Sequence, residues 1–266
     1  MHRLQEGVQA RRRNAVVVGD KDARTGTAHS GHFLVWLRLS GAIFDQAVAP
    51  ASSTTRIEAT TLGEAWIGIA SAILQDGVAG DWEGLPIVEL FRATLEVRSP
   101  TAQDPIIARH GDPERLAWMH ANFTDHSRVA ELGDSDSYAT RLYDYAHTGR
   151  DQIRWVIDRI AANPSTRDAT VTTFQPLTDS SYVPCVSLLD FWLLDGALQL
   201  EVYAHAIDFG TKGYANLVEL AALHTRVAGD LGVSIGTLTM SVKSAHIYET
   251  ELSTMRRIVA ATASGP

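Results

Sequence analysis

The 266-residue sequence contains one cysteine, Cys185, so no disulfide can close within the chain and the fold has to rest on an apolar core. It has no C-x-x-C pair, no H-E-x-x-H and no His/Cys cluster at zinc spacing. None of its 20 glycines falls into a G-x-G-x-x-G or a G-x-x-x-x-G-K-[ST] pattern. Zinc, dinucleotide-fingerprint and P-loop classes drop out, and no metal is expected. A run of about 18 apolar residues, which a membrane-spanning helix requires, is missing, and the Arg-rich first 14 residues lack the apolar stretch of a secretory signal. A cytoplasmic protein is expected. Positive charge is short as well: 23 Lys+Arg against 31 Asp+Glu give a net charge of −8. Such a surface repels phosphate backbones and anionic lipid, so neither nucleic acid nor membrane is an expected partner. Lysine is scarce, with Lys21, Lys212 and Lys243 against 20 arginines, which makes Arg the expected donor to any anionic ligand.

What is present, 45% hydrophobic and 20% charged residues, suits one large globular domain. Residues 1–30 are polar apart from 15–18 (AVVV) and read as an N-terminal extension, which leaves 31–266 as the domain. Residues 32–39 (HFLVWLRL) and 56–59 are extended candidates. Thr60 and Thr61 offer N-caps to a helix over 62–74, with Leu62, Trp66, Ile69 and Ile73 at helical spacing and Gly77 as its stop. A Gly/Asp turn is expected over 77–84. The periodicity of 85–97 (LPIVELFRATLEV) admits helix or strand, with strand preferred. Residues 114–122, 149–163 and 216–231 read as helices. Segments 170–174, 186–194, 198–206 and 237–242 read as strands, with Asp195-Gly196 as a hairpin turn. Helices and antiparallel strands mix without a βαβ rhythm, which is an α+β pattern.

On residue type alone, Cys185 is either a buried small hydrophobe or a nucleophile. His246 and Tyr248 alternate along a strand and so share one face, either as paired donors to a ligand or as plain sheet-surface residues. Asp208 and Asn216, flanking Gly210 and Gly213, read as a turn residue and a helix N-cap.

Taken together, Pro184-Cys185, Asp195-Gly196, Asp208, Asn216 and Ala245-His246-Ile247-Tyr248 resemble the thymidylate synthase family in order and spacing, without a gap from Cys185 to Tyr248. The likeness is to the short archaeal-type members and extends upstream through Asp151-Gln152-Ile153, Pro164-Ser165-Thr166-Arg167 and Glu64-Ala65-Trp66, about two thirds of the chain. It implies a single-domain α+β fold with a mostly antiparallel mixed sheet, and a homodimer in which Arg167 reaches the partner's site. Cys185 would add as thiolate to C6 of a pyrimidine and turn C5 into a nucleophile towards a one-carbon donor. Asn216 would read a uracil-like ring, where cytosine-specific relatives carry Asp. His246 and Tyr248 would hold a sugar hydroxyl, and Asp208 the pterin of methylenetetrahydrofolate. Tyr138, in Ser137-Tyr138-Ala139-Thr140-Arg141-Leu142, would stand near the thiol.

The departures bear on the substrate. His205-Ala206 stands in place of an Arg-Ser pair that grips a 5′-phosphate, Arg167-Asp168 in place of two arginines, and Asp190 in place of a Gln behind the thiol. Imidazole lacks the guanidinium fork and Asp168 adds repulsion, so a nucleoside 5′-monophosphate is not expected to bind in the family manner. A protonated His205 would stand in for the lost arginine as the cation that lowers the thiol pKa. Residues 22–27 (DARTGT) look like the family's phosphate loop but precede the Trp66 helix, whereas Trp82-Glu83-Gly84 occupies the loop's place. Among Glu64, Glu89 and Glu114, the acid/base role goes to Glu89. The chain ends soon after Tyr248, without the tail that seals many relatives against water, which favours hydroxymethylation over methylation. The expectation is a divergent one-carbon transferase of specialised metabolism, acting on a uracil-like nucleoside or another small enolisable heterocycle. The alternatives are a Cys-dependent enzyme without folate on a non-nucleotide substrate, and a catalytically silent binding protein of the same fold.

Overall fold

The computed structural model describes residues 54–180 and 182–263. The expected extension 1–30, the extended candidate 32–39 and the 22–27 motif lie outside the described residues. β1 (Thr55–Ala59) leads into α1 (Leu62–Asp76), whose N-terminus is a complete capping box. The Thr61 side chain accepts from the Glu64 amide, and the Glu64 carboxylate accepts from the Thr60 amide at 2.8 Å and the Thr61 amide at 3.3 Å. Gly77 ends the helix. The expected turn over 77–84 is instead a strand, β2 (Val78–Trp82), paired antiparallel with β3 (Leu85–Val97). Only Glu83 and Gly84 turn, both at positive φ (52° and 85°), the geometry that a two-residue hairpin needs. The Gly/Asp content had marked the turn and hidden the short strand before it.

Two proline-started helices follow, α2 (Pro105–His110) and α3 (Pro113–Thr124), each capped by the preceding aspartate. Next come the small ribbon β4 (Arg128–Val129) and β5 (Ser135–Asp136), then α4 (Tyr138–Tyr143), α5 (Gln152–Ala162) and β6 (Ala169–Thr172). The hairpin β7 (Val186–Leu194) and β8 (Ala197–Asp208) turns through Asp195-Gly196, again both at positive φ. α6 (Gly213–Leu231), β9 (Ser234–Tyr248) and α7 (Leu252–Ala263) complete the described chain.

The main sheet runs β1-β3-β9-β8-β7-β6, with β2 paired to β3; β1/β3 and β8/β9 are parallel and the other pairings antiparallel. Trp66, Ile69 and Ile73 of α1, Ile153, Val156 and Ile160 of α5, and Leu217 and Leu220 of α6 share one core with Leu95, Leu200, Val202 and Met240 of the sheet. Alternation carries this core face along β9 as Leu238, Met240, Val242 and then Ser244, His246 and Tyr248. On β8 the matching register is Val202, Ala204, Ala206 and Asp208. The face that builds the core at one end thus becomes polar at the other.

Candidate active site

Cys185 stands one residue ahead of β7, and its carbonyl accepts from the His205 amide at 3.0 Å across the strand pair. The Tyr138 hydroxyl accepts from the Val186 amide at 3.0 Å, so a buried tyrosine of α4 fixes the backbone just after the thiol. Tyr138 is held in turn by its own amide, which donates to the Asn122 side chain at 2.9 Å. The segment leading to Cys185 is anchored by Arg141, which is 1% exposed and forms two 2.8 Å bonds to Asp179 and a third to the Thr173 carbonyl.

Burial pushes the Cys185 thiol up; the Tyr182 hydroxyl, within hydrogen-bonding reach, and the Lys212 ammonium pull it back, and Asp208 opposes them. Among the described residues, the cation that acts on the thiol is Lys212. His205 does not take that role. Burial and Lys243 hold its imidazole below the usual histidine range, and its Nδ1 faces the Ser187 hydroxyl at 3.4 Å. Strand alternation turns it away from Ala204 and Ala206. Asp190 lies well along β7 and accepts from Thr170 at 2.8 Å, so it is not behind the thiol. Arg167 donates to the carbonyls of Ser165 and Thr166, and Asp168 is ion-paired with Arg159.

Lys212 is the N-cap residue of α6, four residues earlier than the sequence placed it, which puts Asn216 inside the first turn rather than at the N-cap. Gly213 permits this, since a Cβ there would stand 2.6 Å from the Phe209 ring. Asn216 is 4% exposed; its Nδ2 donates to the Lys212 carbonyl at 3.2 Å and its Oδ1 has no partner. A buried amide oxygen left unpaired is costly unless a ligand supplies the donor. The Lys212 ammonium lies 5.5 Å from the centre of the Trp118 ring.

Asp208 and Glu89 are the in-register neighbours of His246, from β8 and β3 respectively. His246 is 4% exposed and its Nδ1, too, has no partner. The Trp82 ring stacks on it at 6.1 Å and 13°, and Tyr248 meets it edge-on at 5.4 Å. Glu89 accepts from the Ser244 hydroxyl at 2.6 Å. Of the other two acids, Glu64 belongs to the α1 cap, and Glu114 sits in the first turn of α3. Asp208 accepts from the amides of Gly210 at 2.8 Å and Thr211 at 3.3 Å and from the Thr211 hydroxyl. A carboxylate has about four acceptor positions, so one is left for an outside donor.

Cys185, Tyr138, Asp208, His246, Tyr248, Glu89 and Asn216 are thus all built into the region around the thiol and the polar end of β8 and β9; His205 meets Cys185 across the strand pair through its backbone, while Asp190 and Arg167 are held by other partners. Sequence reasoning missed Tyr182, Lys212 and Asp179. The first two carried faint signals, a Y-x-x-C spacing and one of only three lysines, whereas Asp179 carried none. Among the described residues no His/Cys/Asp/Glu group is gathered to hold a metal, and no helix is long and apolar enough to cross a membrane.

The site thus joins the cysteine next to β7 with an unpaired amide oxygen on α6 and an unpaired imidazole nitrogen on β9, in an α+β fold. The chain belongs to the thymidylate synthase family, whose sequence model matches residues 112–265. It is 30% identical over 211 residues to a "Putative thymidylate synthase" of Methanosarcina barkeri, covering 76% of this chain and 94% of that one. A protein of the same description from Methanothermobacter thermautotrophicus is 29% identical over 218 residues, covering 76% and 97%. The "Deoxyuridylate hydroxymethyltransferase" of Bacillus phage SP01 is 35% identical over 215 residues, covering 69% of this chain and 56% of the phage protein.

Proposed function

We propose that this protein is a one-carbon transferase of specialised metabolism that uses Cys185 as a covalent nucleophile on a uracil-like ring, in a nucleoside or another small enolisable heterocycle. The observation that carries this reading is Asn216. With one N–H held by the Lys212 carbonyl, its free Oδ1 accepts from a ring imide N–H while its second N–H donates to the adjacent ring carbonyl. That pattern matches uracil and not cytosine.

Lys212 and Tyr182 favour the thiolate that adds to C6, and Tyr138 sets its position through Val186. His246 and Tyr248 hold a hydroxyl of the substrate, and Glu89 is the proposed carrier of the C5 proton. Methylenetetrahydrofolate, which the family generally uses, supplies the carbon when bound, and the open acceptor position of Asp208 suits a donor on its pterin. The name of the phage relative supports a hydroxymethyl product. A homodimer is part of the proposal: Leu188 and Tyr203, in-register neighbours on β7 and β8, are exposed on the sheet face opposite the core, and a second copy would cover them and receive Arg167.

Intact mass of the protein after incubation with 5-fluorouridine, 5-fluorodeoxyuridine and their monophosphates, with and without methylenetetrahydrofolate, tests this reading. Fluorine at C5 blocks the elimination and traps the adduct. A folate-dependent ternary adduct, absent in Cys185→Ala, is expected. No adduct from any of the four refutes the uracil reading, and an adduct that never incorporates folate refutes the donor.

A further inference from the structure

One face of α3 reaches the thiol by two routes. The Asn122 side chain accepts from the Tyr138 amide at 2.9 Å, and the Tyr138 hydroxyl accepts from the Val186 amide at 3.0 Å, which sets the backbone next to Cys185. The Phe123 ring packs on the Tyr138 ring with 4.6 Å between centres. Trp118 precedes Asn122 by four residues and so lies on the same face of the helix, one turn earlier. Its half-buried indole packs against the core, and the Lys212 ammonium stands 5.5 Å from the ring centre.

Lys212 is tied down at its backbone. Its amide donates to the Asp208 carbonyl at 3.2 Å, and its carbonyl accepts from the Asn216 amide at 3.0 Å and from Asn216 Nδ2 at 3.2 Å. The ammonium, however, rides on a flexible four-carbon stem, so a fixed backbone does not fix the charge. A carboxylate that gripped it would also cancel it. An indole face within about 6 Å attracts an ammonium through the ring quadrupole and leaves the net charge in place. That difference matters at Cys185. The groups around it among the described residues are Lys212, Asp208 and the hydroxyls of Tyr138, Tyr182 and Tyr248, with Arg141 acting on Tyr138 and Tyr182 from its pairing with Asp179. A thiolate gains from a nearby cation only while that cation is held within range. We propose that Trp118 is a positioning residue for the nucleophile: its indole face holds the Lys212 ammonium within range of Cys185, so that one face of α3 sets both the place and the charge environment of the thiol. The inference rests on the reading of Cys185 as a nucleophile.

Cys185 is the one cysteine of the chain, so alkylation of the full-length protein by iodoacetamide reports on it alone. Trp118→Leu is expected to move the pH profile of alkylation up by about half a unit and to slow the reaction at pH 7.5 about threefold. Trp118→Met, which fills the space with a flexible apolar chain, is expected to do the same and carries the test where the leucine variant fails to fold. Trp118→Phe, which restores a ring face, is expected to recover most of the rate. In Lys212→Met the further change Trp118→Leu is expected to add nothing, because the group it positions is gone. A profile that stays in place without the ring, a shift that phenylalanine does not reverse, or a shift of the same size in the Lys212→Met background overturns the role of Trp118. No substrate takes part in this reaction, so its outcome is separate from that of the adduct experiment. Profiles as expected, with no fluorinated adduct, refute the uracil reading and leave Trp118 in its role.

Discussion

Asp208 and His246 stand side by side in register on the parallel pair β8 and β9, and the His246 carbonyl accepts from the Phe209 amide at 2.8 Å just past the end of β8. Both Asp208 and Glu89 favour a charged imidazole, yet burial outweighs them and the His246 pKa falls below the usual histidine range. A histidine kept neutral by folding binds its proton more readily when unfolded. Its contribution to stability is therefore full above the unfolded pKa of about 6.5 and is lost as pH falls below it. Denaturant unfolding between about pH 7.5 and 5.5 should show stability declining on acidification, by at most about 1.4 kcal/mol per pH unit for this proton. His246→Gln should flatten the slope; the difference between the two curves isolates His246 from Glu219, whose raised carboxyl pKa acts with the opposite sign. Identical slopes would show that folding leaves the His246 pKa unmoved.

Lys212 supplies the positive charge at the thiol. Removing it in Lys212→Met should push the Cys185 pKa further up and move the pH profile of iodoacetamide alkylation to higher pH. At pH 7.5 the rate should drop about tenfold if the shift is about one unit. His205→Ala should leave the profile in place. A profile that moves with His205 and not with Lys212 would return the role to the histidine.

Arg141 and Asp179 are a buried pair, at 1% and 6% side-chain exposure, with a separation of 2.8 Å. Truncating one partner strands the other's charge, so Arg141→Ala should cost about 3–5 kcal/mol in urea unfolding. A loss under about 1 kcal/mol would mean that water reaches Asp179.

Asn216→Asp turns a donor-and-acceptor side chain into one that only accepts when ionised. Binding of uracil nucleosides should fall by about tenfold or more, since a ring carbonyl loses its donor and faces a carboxylate. Cytidine, with an exocyclic amine at that edge, should bind better than uridine. An unchanged preference in calorimetry would place Asn216 away from the ring.

Much of the fold was legible because local signals and tertiary demand agree. The strand over 85–97 and the hairpin strand over 186–194 are reproduced residue for residue, and the α1 start shows its capping box openly. The helices α2, α4 and α7 were missed: the first two span only six residues, too short to show a period, and α7 carries one buried residue among polar ones. The site was legible as a set of residues in order, through resemblance, but not as a geometry. Which face His205 takes, which cation serves Cys185 and which aspartate holds Arg141 depend on contacts between segments far apart in the chain, and a linear pattern does not encode them.

The two walls of the site differ in how they are held. His246 lies on β9, hydrogen-bonded to strands on both sides, while Trp82 and Glu83 ride at the tip of an edge hairpin whose β2 has one strand partner. Substitutions at the tip leave the core untouched, since Trp82 and Glu83 are exposed. Such a site can exchange its clientele without rebuilding its reaction. Cys185 and Asn216 stand on the rigid scaffold, while the five-residue edge strand and its turn can change without disturbing it. A change in what the site admits would leave its record at the hairpin tip.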